Sequence, residues 1–113
     1  MEFKEDLVRG SIVPIVLQLL KRKAMYGYEI VKVVNERTGG KLEWKEGTLY
    51  PALYRLEEAG HVTARWEDGA SRHRGPRRRI YTLTKKGMRE LANRRVGWVN
   101  FVKIVGSIVA ATG

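Results

Sequence analysis

The period of the apolar residues changes at Gly60, and this change constrains the fold more than composition does. Leu49, Leu53 and Leu56 recur at intervals of four and three residues, which places them on one side of a helix. After Gly60 apolar and polar residues alternate, which is typical of a half-buried strand. The inward side chains of this strand are predicted to be Val62, Ala64 and Trp66. We therefore predict a helix that ends at Gly60 and leads directly into a strand.

The helix before Gly60 has a polar side suited to nucleic acid. Pro51 lacks an amide hydrogen, so we expect it in the first turn of the helix. The side opposite the leucines presents hydroxyl groups, aromatic rings and a guanidinium group. The side chains expected to approach a DNA groove are Lys45, Thr48, Tyr50, Tyr54 and Arg55. An ordinary surface helix is the other interpretation of this segment taken alone.

Two further helices are predicted upstream. Ser11 and Pro14 have the spacing of an N-cap and a first-turn proline, which predicts a first helix over about residues 11–23. After a turn at residues 25–28, a second helix is predicted from Gly27 to Arg37 and ends at a pair of glycines. Leu42 and Trp44, in the next connection, are expected to pack on the core. The second and third helices together match the helix-turn-helix arrangement.

A second strand and a basic loop follow. The strand is predicted over residues 77–83 and pairs with the first strand as a β-hairpin. The arginines expected to reach DNA from this hairpin are Arg72, Arg74, Arg77, Arg78 and Arg79. The chain carries 22 basic and 12 acidic residues, a net charge of +10, which favours a polyanionic partner. A solvated charge run is the alternative, but a basic hairpin directly after a helix-turn-helix pair favours a DNA-binding wing.

The last predicted helix, over about residues 84–111, is capped by Thr84 and is nearly all apolar after Val96. Its apolar residues recur at intervals of seven, the spacing of a helix that packs on another helix. The seam is predicted to contain Leu91, Trp98 and Val105, with Met88, Val102 and Val109 around Arg95. We expect the partner to be the same helix of a second copy, which makes a homodimer. A membrane span is not expected, because it needs about 20 apolar residues and Lys103 interrupts this run. A membrane-surface or protein-interaction module is the alternative function.

These elements predict a DNA-binding domain at residues 1–83 and a dimerisation helix at residues 84–113. Catalysis, a cofactor and a metal site are not expected, because the chain has no cysteine and only two histidines. Of these, His61 lies in the predicted strand, and His73 lies among arginines, which disfavour a bound cation. No stretch near Met1 resembles a signal peptide, so we expect a cytoplasmic protein.

Three motifs in order give the chain a resemblance to the PadR family of transcriptional regulators, in its short subfamily. They are Tyr26-Gly27-Tyr28-Glu29-Ile30, the segment from Gly47 to Glu57 with Gly60, and the segment from Arg78 to Thr84 with Gly87. The resemblance implies an α+β, mainly α-helical fold with a small β-hairpin, namely a winged helix-turn-helix followed by a dimerisation helix.

It further implies a repressor that binds a pseudo-palindromic operator as a homodimer. Some members of the family release DNA when a small aromatic or cationic molecule binds at the dimer interface. In this chain Trp98 lies on the predicted seam of the last helix, where it is either part of such a site or simply a large interface residue.

Overall fold

The computed structural model describes residues 4–67 and 78–110, and these ranges contain four helices and a small three-stranded antiparallel sheet. The elements in chain order are α1 (Glu5–Arg22), β1 (Met25–Tyr26), α2 (Gly27–Arg37), α3 (Glu46–Glu58), β2 (Val62–Trp66), β3 (Arg79–Leu83) and α4 (Lys85–Val109). Helices α2 and α3 form the helix-turn-helix pair, and β2 and β3 form the base of the wing. The predicted fold class, a mainly α-helical winged helix-turn-helix with a long C-terminal helix, is confirmed.

The first helix begins earlier than the sequence predicted. Helix α1 starts at Glu5, because the carbonyl oxygen of Lys4 already accepts from the amides of Leu7 and Val8, each at 3.1 Å. Ser11 is therefore not an N-cap; its hydroxyl donates to the Val8 carbonyl oxygen at 2.6 Å, inside the helix. Pro14 consequently lies in the helix interior.

Helix α2 has the predicted bounds, and the connection after it packs as expected. Its end is followed by two glycines with positive φ angles, Gly39 at 62° and Gly40 at 76°. The Asn35 side chain then holds the connection by accepting from the Trp44 amide at 3.0 Å and donating to the Trp44 carbonyl oxygen at 2.9 Å. The Trp44 ring is buried in the core, and Leu42 is half-buried against it.

Helix α3 buries its leucines and ends as predicted. Leu49, Leu53 and Leu56 all lie in the core, and burying one leucine is worth about 1.5–3 kcal/mol, so they determine which side of α3 faces outward. Gly60 has a φ angle of 79° and donates to the Glu57 carbonyl oxygen at 3.0 Å, while the His61 amide donates to the Leu56 carbonyl oxygen at 2.9 Å.

Pro51 is not in the first turn of α3. It is the sixth residue of the helix, because α3 begins at Glu46, and the amides of Thr48 and Leu49 close its first turn onto the Lys45 carbonyl oxygen at 3.0 and 3.1 Å. A residue other than proline at position 51 would donate its amide to the Gly47 carbonyl oxygen. Gly47 is exposed, so water can bond this carbonyl oxygen instead.

The sheet has the strand order β1–β3–β2, with both pairings antiparallel. The predicted turn at residues 25–28 is wrong in part, because Met25 and Tyr26 pair with Tyr81 and Ile80 as strand β1. The second wing strand begins at Arg79 within the described residues, and Arg77 lies outside them. Trp66 was predicted to face inward, but its side chain is 52% exposed, because it lies at the end of β2 opposite Arg79.

Helix α4 starts on the predicted cap and packs on α1. The Thr84 hydroxyl oxygen accepts from the Gly87 amide at 2.9 Å and donates to the Gly60 carbonyl oxygen at 2.7 Å. Leu91, which the sequence places in the seam between copies, is buried in the core of its own chain. The large apolar side chains of α4 beyond it are exposed: Val96, Trp98, Val99, Phe101, Val102, Ile104, Val105, Ile108 and Val109.

Over residues 4–67 and 78–110, no helix combines the length and the apolarity that crossing a membrane requires.

Candidate nucleic-acid interface

The outward side of α3 presents the polar residues that the sequence singled out. Because the leucines hold the opposite side against the core, these residues are all exposed: Lys45, Thr48, Tyr50, Tyr54 and Arg55. Lys45 and Thr48 lie at the N-terminal end, where the first amides of a helix have no acceptor within the helix and favour a negative charge.

Tyr50 is held in place by the start of α2. A Cβ atom added to Gly27 would lie only 2.6 Å from the Tyr50 hydroxyl oxygen, so the ring of Tyr50 rests where residue 27 has no side chain. Partial burial, and then the nearby charge of Glu46, raise the pKa of Tyr50. Its hydroxyl is therefore protonated at neutral pH and can donate a hydrogen bond.

The two described arginines of the wing have different surroundings. Arg78 is exposed, and its guanidinium carbon lies 4.8 Å from the centre of the Tyr26 ring. Tyr26 is fixed in turn, because its hydroxyl donates to Glu67 Oε1 at 2.8 Å; this bond is the main cause of the raised pKa of Tyr26. Arg78 was predicted to reach DNA, and its exposure suits that role.

Arg79 instead connects the wing to α3. Its Nη2 donates to Glu57 Oε2 at 3.1 Å, and its guanidinium carbon lies 5.5 Å from the ring centre of Trp66 and 5.9 Å from that of Tyr81. Its Nε is buried and has no hydrogen-bond partner among the described residues. The sequence predicted a DNA contact for Arg79 and did not anticipate this bridge.

The remaining predicted wing residues, Arg72, Arg74 and Arg77, lie outside the described residues, as does His73. Within the described ranges, no group of three histidine, aspartate or glutamate side chains could hold a metal ion.

A cleft of about 850 Å³ lies between α3, the start of α2 and the base of the wing. It is lined by all five tyrosines of the chain together with Trp66, Arg78, Arg79 and Glu57, and we call it the aromatic cleft. The tyrosines that line it are Tyr26, Tyr28, Tyr50, Tyr54 and Tyr81. Sequence reasoning placed only Tyr50 and Tyr54 at a site, because the others are far from α3 in the sequence.

The residues predicted for the dimer and effector interface are spread along α4. Arg95 donates to Gln18 Oε1 of α1 at 2.8 Å, within the same chain. Trp98 borders a second cavity, of about 490 Å³, which lies between α1 and α2 and includes Gln18 and Val34; we call it the Trp98 groove. Val102, Val105 and Val109 are exposed beyond it.

Comparison with known proteins agrees with this architecture. The family model of the transcriptional regulator PadR-like family matches residues 16–93. An uncharacterized protein of Lysinibacillus sphaericus is 31% identical over 102 residues, which cover 90% of this chain and 91% of that protein.

The solved structures that are similar to the chain include the following two. A transcriptional regulator from Clostridium thermocellum matches with a TM-score of 0.83 and 30% identity, over 95% of this chain and 98% of that one. PadR of Bacillus subtilis, in complex with operator DNA, matches with a TM-score of 0.65 and 27% identity, over 74% of this chain and 46% of that one.

Proposed function

Because the chain belongs to the PadR-like family of transcriptional regulators, we propose that it is a homodimeric repressor that binds a pseudo-palindromic operator in duplex DNA. The proposal depends on one observation: the polar side chains on the outward side of α3 are exposed beside the base of a basic wing. The similarity to Bacillus subtilis PadR, whose structure contains operator DNA, supports it.

In the proposed complex α3 enters the major groove. Lys45 and Thr48, at its N-terminal end, are suited to a phosphate group, and Tyr50 and Tyr54 extend from the same exposed side toward bases or sugars. Arg55 is exposed as well but lies further along the helix, at the edge of this surface.

The wing is proposed to add charge rather than sequence specificity. Arg78 and the wing-loop arginines would bind phosphates and release counterions from the DNA. If the chain neutralises about six phosphates, its affinity should fall by about a thousandfold between 50 and 200 mM salt.

A second copy of the chain is proposed to cover the apolar side of α4. The large side chains from Val96 to Val109 are exposed, and an apolar surface of this kind on a long helix is typical of an interface. Pairing of two α4 helices would place two winged domains on half-sites separated by one helical turn of DNA or a multiple of it.

A small aromatic or cationic effector is proposed to bind in the Trp98 groove. The Trp98 ring is partly exposed beside a cavity, so a planar molecule can stack on it and bias the spacing of the two DNA-binding domains. Trp98→Phe should then weaken effector binding while the protein remains dimeric; an unchanged affinity would leave Trp98 as an interface residue only.

DNA binding is tested on fragments selected from sheared genomic DNA of the source organism. Fluorescence anisotropy should show that Tyr54→Ala and Arg78→Ala each weaken binding, and that Arg78→Ala also reduces the salt dependence. Arg94→Ala is the matched control, since Arg94 is an arginine paired with Glu90 on α4, away from α3 and the wing. Equal affinity for all four proteins would overturn the proposed interface.

Dimerisation is tested by analytical ultracentrifugation of Val102→Asp. A charge in the exposed apolar side of α4 should produce monomers and reduce operator affinity together. Asn100→Asp adds the same charge at a polar, exposed position of α4 and should leave both unchanged. If Val102→Asp instead abolishes binding to lipid vesicles without changing mass or DNA affinity, α4 serves a membrane-surface function.

A further inference from the structure

Strand β3 begins beyond the part of the sheet that supports it on both sides. Within the described residues, β1 pairs with Tyr81 and Ile80, whereas Arg79 is paired with Trp66 of β2 alone. A two-stranded ribbon twists more strongly than a wider sheet, and by itself it is only marginally stable. The direction of the wing at Arg79 therefore depends on the side-chain contacts made at this point.

One such contact is the ion pair between Arg79 and Glu57 of α3. Arg79 Nη2 lies 3.1 Å from Glu57 Oε2, and the guanidinium carbon lies 5.5 Å from the ring centre of Trp66 and 5.9 Å from that of Tyr81. A carboxylate and two aromatic rings together restrict the orientation of a guanidinium group. Glu57 is in the last turn of α3, three residues after Tyr54. The pair therefore connects β3 directly to the helix that is proposed to enter the DNA groove.

The charge of Glu57 is unfavourable for a residue at this place. Glu57 lines the aromatic cleft together with Tyr54 and Arg78, which are both proposed DNA contacts, and a carboxylate repels phosphate groups. It also binds the guanidinium group of Arg79, which could otherwise pair with a phosphate group. For charge alone, DNA binding would favour a neutral residue at position 57. The pair is thus suited to a geometric role rather than an electrostatic one.

We propose that Glu57 is a positioning residue for DNA binding, which acts through Arg79 to hold the wing at a fixed angle to α3. Arg78 directly precedes Arg79, so the backbone that Arg79 holds also places Arg78. With this angle fixed before binding, α3 and the wing can contact one duplex at a smaller cost in conformational entropy. The inference rests on the proposed function and deepens it, because it assigns Arg79 to geometry and not to phosphate contact.

The first test is the affinity of Glu57→Gln for a selected DNA fragment, measured by fluorescence anisotropy. Positioning predicts about tenfold weaker binding, although the substitution removes a negative charge from the DNA-binding side. Glu46→Gln is the matched control, because Glu46 is an exposed carboxylate at the other end of α3 with no ion pair among the described residues. It should bind DNA as tightly as the wild type or more tightly. Affinity of Glu57→Gln equal to or above that of the wild type would overturn the proposal.

The second test distinguishes positioning from a phosphate contact by Arg79. If Arg79 acts through its pair with Glu57, Arg79→Gln should weaken DNA binding about tenfold in the wild type and less than about twofold in Glu57→Gln. An arginine that binds phosphate itself would cost the same in both proteins. Equal costs would therefore refute the assignment of Arg79.

The third test asks whether the loss acts on the wing or on the whole fold. Arg78→Ala should weaken binding about tenfold in the wild type and less than about threefold in Glu57→Gln, because a wing that is not held cannot present Arg78. Thr48→Ala, at the N-terminal end of α3, should cost the same in both proteins. A partly exposed ion pair adds little to stability, so the variants should remain folded. An Arg78→Ala cost that is the same in both proteins would contradict a role through the wing.

The ion pair itself is tested without DNA by NMR of the ¹⁵N-labelled full chain. Arg79 Nε is buried, so its proton should exchange slowly with water, and Arg79→Gln assigns the signal by removing it. Glu57→Gln should speed this exchange at least about threefold, and Glu46→Gln should leave it unchanged. An unchanged exchange rate in Glu57→Gln would show that Glu57 does not hold Arg79 and would overturn the proposal.

The affinities also separate the positioning role from the function on which it rests. If the wild-type chain binds no fragment of genomic DNA, the proposed function fails and the positioning role fails with it. If the wild type binds DNA and Glu57→Gln binds it equally well, the positioning role alone fails and the proposed function stands.

Discussion

Replacing Gly87 with alanine should destabilise the junction at which α3, the wing and α4 meet. A Cβ atom on Gly87 would overlap the carbonyl oxygen of His61 and would lie 2.6 Å from Leu83 Cδ1. His61 cannot move away freely, because its amide donates to the Leu56 carbonyl oxygen at 2.9 Å and its carbonyl oxygen accepts from the Thr84 amide at 3.1 Å. The substitution therefore has to displace backbone and not only a side chain.

The expected loss follows from three contributions. Overpacking costs about 1–3 kcal/mol. Weakening one of the two hydrogen bonds of His61 costs about 1 kcal/mol. Alanine recovers about 1 kcal/mol over glycine within a helix. The net loss is about 2 kcal/mol, which lowers the melting temperature by roughly 8–15 °C for a domain of this size.

The assay is thermal unfolding followed by far-ultraviolet circular dichroism at one fixed protein concentration, because association would add to the apparent stability. Gly97→Ala is the matched control on the same helix, since nothing lies within 4 Å of its added Cβ. It should melt at the wild-type temperature or above. The reasoning is refuted if Gly87→Ala melts within roughly 2 °C of the wild type.

Three further predictions concern the Asn35 hydrogen bonds, the Gly27–Tyr50 contact and the titration of two tyrosines. Asn35→Ala should reduce the free energy of unfolding by about 2–3 kcal/mol in urea titrations, because two hydrogen bonds to the Trp44 backbone are lost; a reduction under about 1 kcal/mol would contradict this. Gly27→Ala should displace the Tyr50 ring and weaken DNA binding several-fold with little change in melting temperature; unchanged DNA affinity would count against Tyr50 as a contact. Burial raises the pKa of Tyr50 and Tyr81 in the folded state, so their contribution to stability is present below the unfolded pKa of about 10 and is lost as the pH rises above it. Phenolate absorbance from all tyrosines of the folded protein below about pH 10 would disagree with these shifts.

The sequence by itself determined the helix-turn-helix pair and the cap of α4, because their signals are local. The ends of α2 and α3 depend on glycines that adopt positive φ angles, and the start of α4 depends on the Thr84 hydroxyl and an amide three residues away. The side of α3 that faces outward also follows from the sequence, because the spacing of Leu49, Leu53 and Leu56 leaves only one side to bury.

Where a local signal had two physical outcomes, the tertiary structure decided between them. The Ser11 hydroxyl can cap a new helix or bond back within an existing one, and it does the latter. Leu91 fits the seven-residue spacing of a seam between copies, and the tertiary structure places it in the core of its own chain. Strand β1 has only two residues and exists only through its pairing with β3.

The aromatic cleft also depended on the tertiary structure. The Arg79–Glu57 ion pair joins residues 22 positions apart, and the Tyr26–Glu67 hydrogen bond joins residues 41 positions apart. Helix periodicity and turn residues act over a few positions, whereas the cleft brings together side chains from α2, α3 and all three strands. The sequence thus determines the elements and their buried sides, and the packing of those elements determines which charges and rings meet.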